Sequence, residues 1–125
     1  MVEVAEAVSR GNNLIFMTEP GGQTVESGAT VDVTKDLPGG IDVRPFYSIR
    51  VAGGNRVVSE GPVTFKLIMK VEGVNFLLLD SFRVIPGQQF TRVFNVPGTG
   101  LTIKTEADEG SGLNAVDVVV FGYKF

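Results

Sequence analysis

The stretch Val63-Thr64-Phe65-Lys66-Leu67-Ile68-Met69-Lys70 decides the fold. In an extended chain side chains two apart share a face. Val63, Phe65, Leu67 and Met69 then point one way, and Thr64, Lys66 and Lys70 the other. This alternation predicts a half-buried strand. Glu72-Gly73 reads as a hairpin turn into a second strand, Phe76 to Ile85, which Pro86-Gly87 ends. Over Phe76-Leu77-Leu78-Leu79 that second strand is apolar on both faces. Such a strand is predicted at the centre of a sheet, or covered on its second face.

The same grammar extends outward. Pro-Gly pairs stand at Pro20-Gly21, Pro38-Gly39, Pro86-Gly87 and Pro97-Gly98. Proline presets φ for a tight turn, and glycine accepts the positive φ that a type II turn needs next. Short runs rich in Val, Ile, Phe and Thr lie between them: Leu14 to Thr18, Thr30 to Thr34, Val43 to Val51, Phe90 to Val96, Leu101 to Thr105 and Ala115 to Phe125. Within 43–51, Val43, Tyr47, Ile49 and Val51 fall on one face, and Arg44, Phe46, Ser48 and Arg50 on the other. Pro45 cannot donate to a ladder, so this strand is predicted at an edge or a bulge. Gly53-Gly54-Asn55 reads as the next turn.

About eight strands with short connections, and no helix of ten or more residues, predict an all-β fold. The expected architecture is a single antiparallel β-sandwich, jelly-roll in type, with an immunoglobulin-like sandwich as the alternative. A chain of 125 residues is the size of one domain, 1–125, with 1–12 read as a frayed arm. The run Phe94-Asn-Val-Pro-Gly98, Leu101-Thr-Ile103 and Val116 to Gly122 resembles, in strand and turn pattern alone, the closing strands of small accessory β-sandwiches in bacterial surface proteins.

Absences narrow the function. The chain has no His, no Cys and no Trp. Ser–His and Cys–His nucleophile pairs are therefore excluded, and thiolate or imidazole metal sites with them. The net charge is −3 and the basic residues are scattered, so a nucleic-acid backbone partner is not expected. Met1 to Arg10 carries two glutamates and lacks the basic and apolar regions of a signal peptide. No apolar run reaches the length of a membrane span.

A Ser–Lys or Thr nucleophile remains chemically open, though no serine sits in a Gly-x-Ser-x-Gly elbow, and paired carboxylates offer a second route, as in a glycoside hydrolase. Asp36 to Asp42 and Asp108 to Asn114 are loops with the oxygen chemistry of calcium sites. Solvated charge and ordinary turn residues account for both, so no cofactor, metal or catalytic residue is assigned. Two surfaces are singled out instead. Arg44, Phe46, Tyr47 and Arg50 combine rings with guanidinium donors and form the candidate ligand-binding set. On the last strand Val116, Val118 and Val120 share one face, while Asp117, Val119, Phe121, Tyr123 and Phe125 share the other. A strand wetted on one side should be polar there, and this one turns apolar from Val119 onward. Val119, Phe121, Tyr123 and Phe125 are therefore the candidate subunit interface. The expected function is a non-catalytic interaction or assembly module that forms a homo-oligomer. A carbohydrate-binding module is second and a carboxylate-based glycoside hydrolase third.

Overall fold

A computed structural model describes residues 12–72, 74–96 and 98–124. Residues 1–11 of the expected arm, and Gly73, Pro97 and Phe125, lie outside the described residues, while Asn12, read as the last residue of that arm, opens the first strand. The described residues form ten strands: β1 (Asn12–Met17), β2 (Gln23–Glu26), β3 (Thr30–Asp32), β4 (Ile41–Asp42), β5 (Ser48–Asn55), β6 (Val63–Val71), β7 (Val74–Val84), β8 (Gln89–Asn95), β9 (Gly100–Ala107) and β10 (Leu113–Tyr123). All pairings are antiparallel.

The ten strands fill eight lanes. β1 pairs with residues 119–123 of β10, and β2 continues the same lane along residues 113–116. β3 and β4 share a lane beside β9 in the same way. One sheet then runs β1/β2-β10-β5-β8, and the other β3/β4-β9-β6-β7. Counted by lane, the orders are first-eighth-third-sixth and second-seventh-fourth-fifth. That interleaving is the jelly roll, and it removes the immunoglobulin-like alternative.

Local chemistry explains the turns. Gly39 and Gly87 follow proline and take φ of 76° and 85°. In each turn the next N–H donates back across it, Gly40 to the Leu37 carbonyl at 2.9 Å and Gln88 to the Ile85 carbonyl at 3.0 Å. These are the type II turns that Pro-Gly predicts. At Pro20-Gly21 the positive φ moves on to Gly22, whose N–H donates to the Glu19 carbonyl at 2.7 Å.

The core lies between the sheets. Val63, Phe65, Leu67 and Met69 are fully buried, as their alternation predicts, against Ile49, Val51, Leu101, Ile103, Val116 and Val120. Phe65, Phe82 and Phe90 close one side, with ring centroids 4.7 Å apart for Phe65–Phe90 and Phe82–Phe90. Tilted contacts of this kind suit the ring quadrupoles.

Three expectations are corrected. The strand read from Val43 begins only at Ser48, because Val43 to Phe46 makes a turn closed by the Phe46 N–H on the Val43 carbonyl. That strand is also not an edge: β5 sits between β10 and β8. Gly53, Gly54 and Asn55 are not a turn but the last residues of β5, paired with Val118, Asp117 and Val116. Gly53 sits so close to the Asp117 carbonyl and the Phe90 ring that a Cβ there would clash. Third, the apolar run 76–79 is not central. It lies in β7, an edge strand, with Leu77 and Leu78 exposed. The β6–β7 register slips twice, between Leu67 and Ile68 and between Met69 and Lys70. Bulges twist an edge and discourage pairing with a foreign strand, which is how an apolar edge is tolerated.

Candidate functional site: the outer face of one sheet

The structure separates the four candidate ligand residues. Arg44 lies in the turn before β5 and grips Asp42, Nε to Oδ1 at 2.9 Å and Nη2 to Oδ2 at 3.0 Å. The hydrogen bonds from Arg44 hold the Asp42 carboxyl below its ordinary range. Phe46 is half-buried and seals one end of the sandwich. Its ring covers Gly122, and the Lys124 ammonium stands 5.6 Å from its centroid. Tyr47 is exposed at the rim. Only Arg50 lies on an open sheet face, its guanidinium 5.7 Å from the Tyr123 ring centroid. That distance is within cation–π range.

That face also carries the candidate interface. β10 is an interior strand, and its inward residues Val116, Val118 and Val120 are buried as expected. Val119, Phe121 and Tyr123 look outward and remain half-exposed. Register supplies neighbours that the sequence pattern did not connect. Phe121 pairs with Leu14 on one side and Arg50 on the other, and Arg50 with Val93. Val119 pairs with Met17 and Ala52, and Ala52 with Thr91. Leu14, Met17 and Val93 are 54%, 59% and 57% exposed. A sheet wetted on one side should show polar residues there. This one shows an apolar field with Arg50 inside it.

Beside the field the surface drops. Ala52 and Gly54 leave the sheet bare, and a trough of about 400 Å³ opens, walled by Arg56, Gln89, Thr91 and Asp117. Arg56 donates to both Asp117 oxygens, at 2.7 and 2.8 Å, and to the Pro20 carbonyl at 2.8 Å. The missed residues Leu14, Met17 and Val93 carry no signal alone. Each is an ordinary strand residue until register sets it beside the last strand.

The carboxylates bind cations of the chain itself. Asp80 meets Arg92, Asp108 meets Arg83 and Glu106 meets Lys66. Among the described residues no three acidic side chains gather into a metal cluster. No described helix is long and apolar enough to cross a membrane.

No known family model matches the chain, and no curated protein matches it. Solved structures do. A pilus protein of Bacillus endospore appendages, a family described as disulfide-linked, aligns over 91% of this chain and 87% of its own, with a TM-score of 0.51 and 12% identity. The PRD1 vertex protein P5 aligns over 90% and 95%, with a TM-score of 0.50 and 10% identity. The low-affinity xylan-binding module CBM86 of the gut symbiont Roseburia intestinalis aligns over 91% and 90%, with a TM-score of 0.47 and 14% identity. At these identities the likeness is one of fold.

Proposed function

We propose that the protein is a non-catalytic assembly module whose contact surface is the outer face of the β1-β10-β5-β8 sheet. One observation carries this reading. Phe121 and Val119, half-exposed on an interior strand, are flanked by exposed Leu14, Met17 and Val93. A contiguous apolar patch on a folded surface marks an interaction site more often than scattered apolar residues do. The inventory offers catalysis little: the chain has no His or Cys, and the carboxylates at Asp42, Asp80, Asp108 and Asp117 are tied to arginines.

Light scattering on wild type and Phe121→Asp tests the proposal. The wild type is expected to associate at tens of micromolar. Phe121→Asp is expected to weaken association while keeping a β-rich circular dichroism spectrum, because a carboxylate in an apolar contact loses hydration without a partner. A monomeric wild type overturns the reading. An unfolded mutant does so too, since it places Phe121 in the monomer's own packing.

A glycan-binding reading has one feature in its favour, the polar side chains along the walls of the trough beside the field. Arg56, Asp117, Gln89 and Thr91 supply the donors and acceptors that hydroxyl groups use. Affinity-gel electrophoresis with soluble polysaccharides separates the two. Retardation lost on Gln89→Ala and Thr91→Ala supports the trough. Unchanged mobility with every polysaccharide removes it.

A further inference from the structure

Resting on the reading of this face as a contact surface, we propose that its occupant is a second copy of the chain, packed face to face about a two-fold axis. The axis runs across the strands along the row Met17–Val119–Ala52–Thr91.

The edges argue for a face-on approach. β7 slips its register twice, and β8 turns the charged Arg92 inward. Both devices discourage side-on growth of a sheet.

Shape and charge then select the symmetry. On one side of the central row lies a bulky row, Leu14–Phe121–Arg50–Val93. On the other lies a bare one, Asp117–Gly54–Gln89. Each stands about 7 Å from the axis, two residues along a strand. A two-fold axis across the strands exchanges these rows between copies. The Phe121 row of one copy then fills the partner's trough. Phe121 lies over the partner's Asp117 and Arg50 over the partner's Gly54, one strand away from that Asp117, whose carboxylate holds Arg56 and keeps acceptor sites to spare. A two-fold axis along the strands, midway between β10 and β5, instead brings the two bulky rows together and leaves the two bare rows facing each other unfilled.

The size is sufficient for a modest dimer. Leu14, Met17 and Val93, each more than half exposed, and the partly buried Val119, Phe121 and Tyr123 together offer on the order of 500 Å² per copy. Two copies bury about 1,000 Å², near the lower bound of specific interfaces. An isologous contact of this kind closes at two subunits.

A chain without cysteine permits a direct test. Thr91 and Met17 lie at opposite rims of the axial row, where a reagent reaches them. Packed sheets stand about 10 Å apart, beyond disulfide reach, so a short bis-maleimide is the probe. Thr91→Cys alone and Met17→Cys alone are each expected to yield covalent dimers. Ser81→Cys, on the opposite sheet, is expected to yield none. Arg50→Glu is expected to weaken the dimer about tenfold. Association of the wild type without self-cross-linking at either rim overturns this symmetry and leaves the assembly reading standing. Cross-linking only in a mixture of the two variants also overturns it, in favour of the other axis. A monomeric wild type overturns both. The two rim variants sit on different strands, and circular dichroism confirms that each folds.

Discussion

Asn55 and Asn114 hold the same residue, Gly61, from its two sides. The Gly61 N–H donates to Asn114 Oδ1 at 2.9 Å, and the Gly61 carbonyl accepts from Asn55 Nδ2 at 2.9 Å. Both asparagines are 2% exposed. Together they fix the loop between β5 and β6 to the end of the sandwich. Asn114 reaches further, donating to the Val25 carbonyl at 3.1 Å, and Asn55 donates to the Val84 carbonyl at 3.0 Å.

Replacing either asparagine with alanine orphans buried backbone groups, at about 1–3 kcal/mol each. Asn114→Ala takes the acceptor from the Gly61 N–H and one donor from the Val25 carbonyl, while the Glu60 N–H keeps the Leu113 carbonyl at 3.3 Å. Asn55→Ala takes one donor from each of two carbonyls, the milder loss because a carbonyl has two lone pairs. Urea unfolding should show both variants destabilised, Asn114→Ala by about 3 kcal/mol and Asn55→Ala by about 2 kcal/mol. Equal stability to wild type would remove the clamp from the account.

Gly122→Ala tests the end seal. A Cβ on Gly122 would lie 2.5 Å from the Phe46 ring. The ring must move, at a cost of about 1–3 kcal/mol. Phe46→Ala costs packing of its own. Combined with Gly122→Ala it should cost less than the sum, because the clash has lost its partner. Additive losses in thermal unfolding would separate the two sites.

Arg92 lies over the phenylalanine cluster at the β7–β8 side of the sandwich. Its Nε donates to Asp80 Oδ2 at 3.0 Å, and its guanidinium lies 4.3 Å from the Phe82 centroid. Arg92→Met keeps the bulk and drops the charge. Stability should fall by about 1 kcal/mol or less, since solvent reaches both partners, at 39% and 33% exposure. Concentration-dependent aggregation should rise, because the edge loses its inward charge. A variant no stickier than wild type would remove Arg92 as an edge guard.

Acid should act late. Asp42 is lowered by its bonds from Arg44, so it contributes stability above its unfolded pKa. That contribution is lost as pH falls through the lowered folded value, below the ordinary carboxylate range. The pair is exposed and its share small. Asp42→Asn is therefore expected to leave the melting temperature unchanged between pH 5 and pH 8, about the range in which both forms are ionised or neutral throughout. A clear drop at pH 7 would show that the pair does more than position its turn.

Alternation was the legible part of this fold. Val63 to Lys70 and Val116 to Val120 declare their buried faces because a sandwich wets one side of each sheet. What misled was residue type standing in for context. Gly53-Gly54 has the composition of a turn, yet neighbouring backbone crowds it and side chains are excluded. Phe76 to Leu79 has the composition of a central strand, yet it sits on a bulged edge. The surface was half legible. Val119, Phe121 and Tyr123 share a face by period alone. Leu14, Met17 and Val93 join them only through pairings across about a hundred residues of chain, or across a whole strand, which local pattern does not encode.

Asn12 and Tyr123 are register partners, so the first and last strands meet antiparallel with their outer ends side by side. Tension applied between those two ends would load the β1–β10 ladder one rung at a time, as a zipper opens. A ladder pulled along its strands shares the load among all its rungs, and this one cannot. Drawn apart from Asn12 and Tyr123, the fold should yield at low force, starting with β1, while β5, β6 and β9 still hold their neighbours.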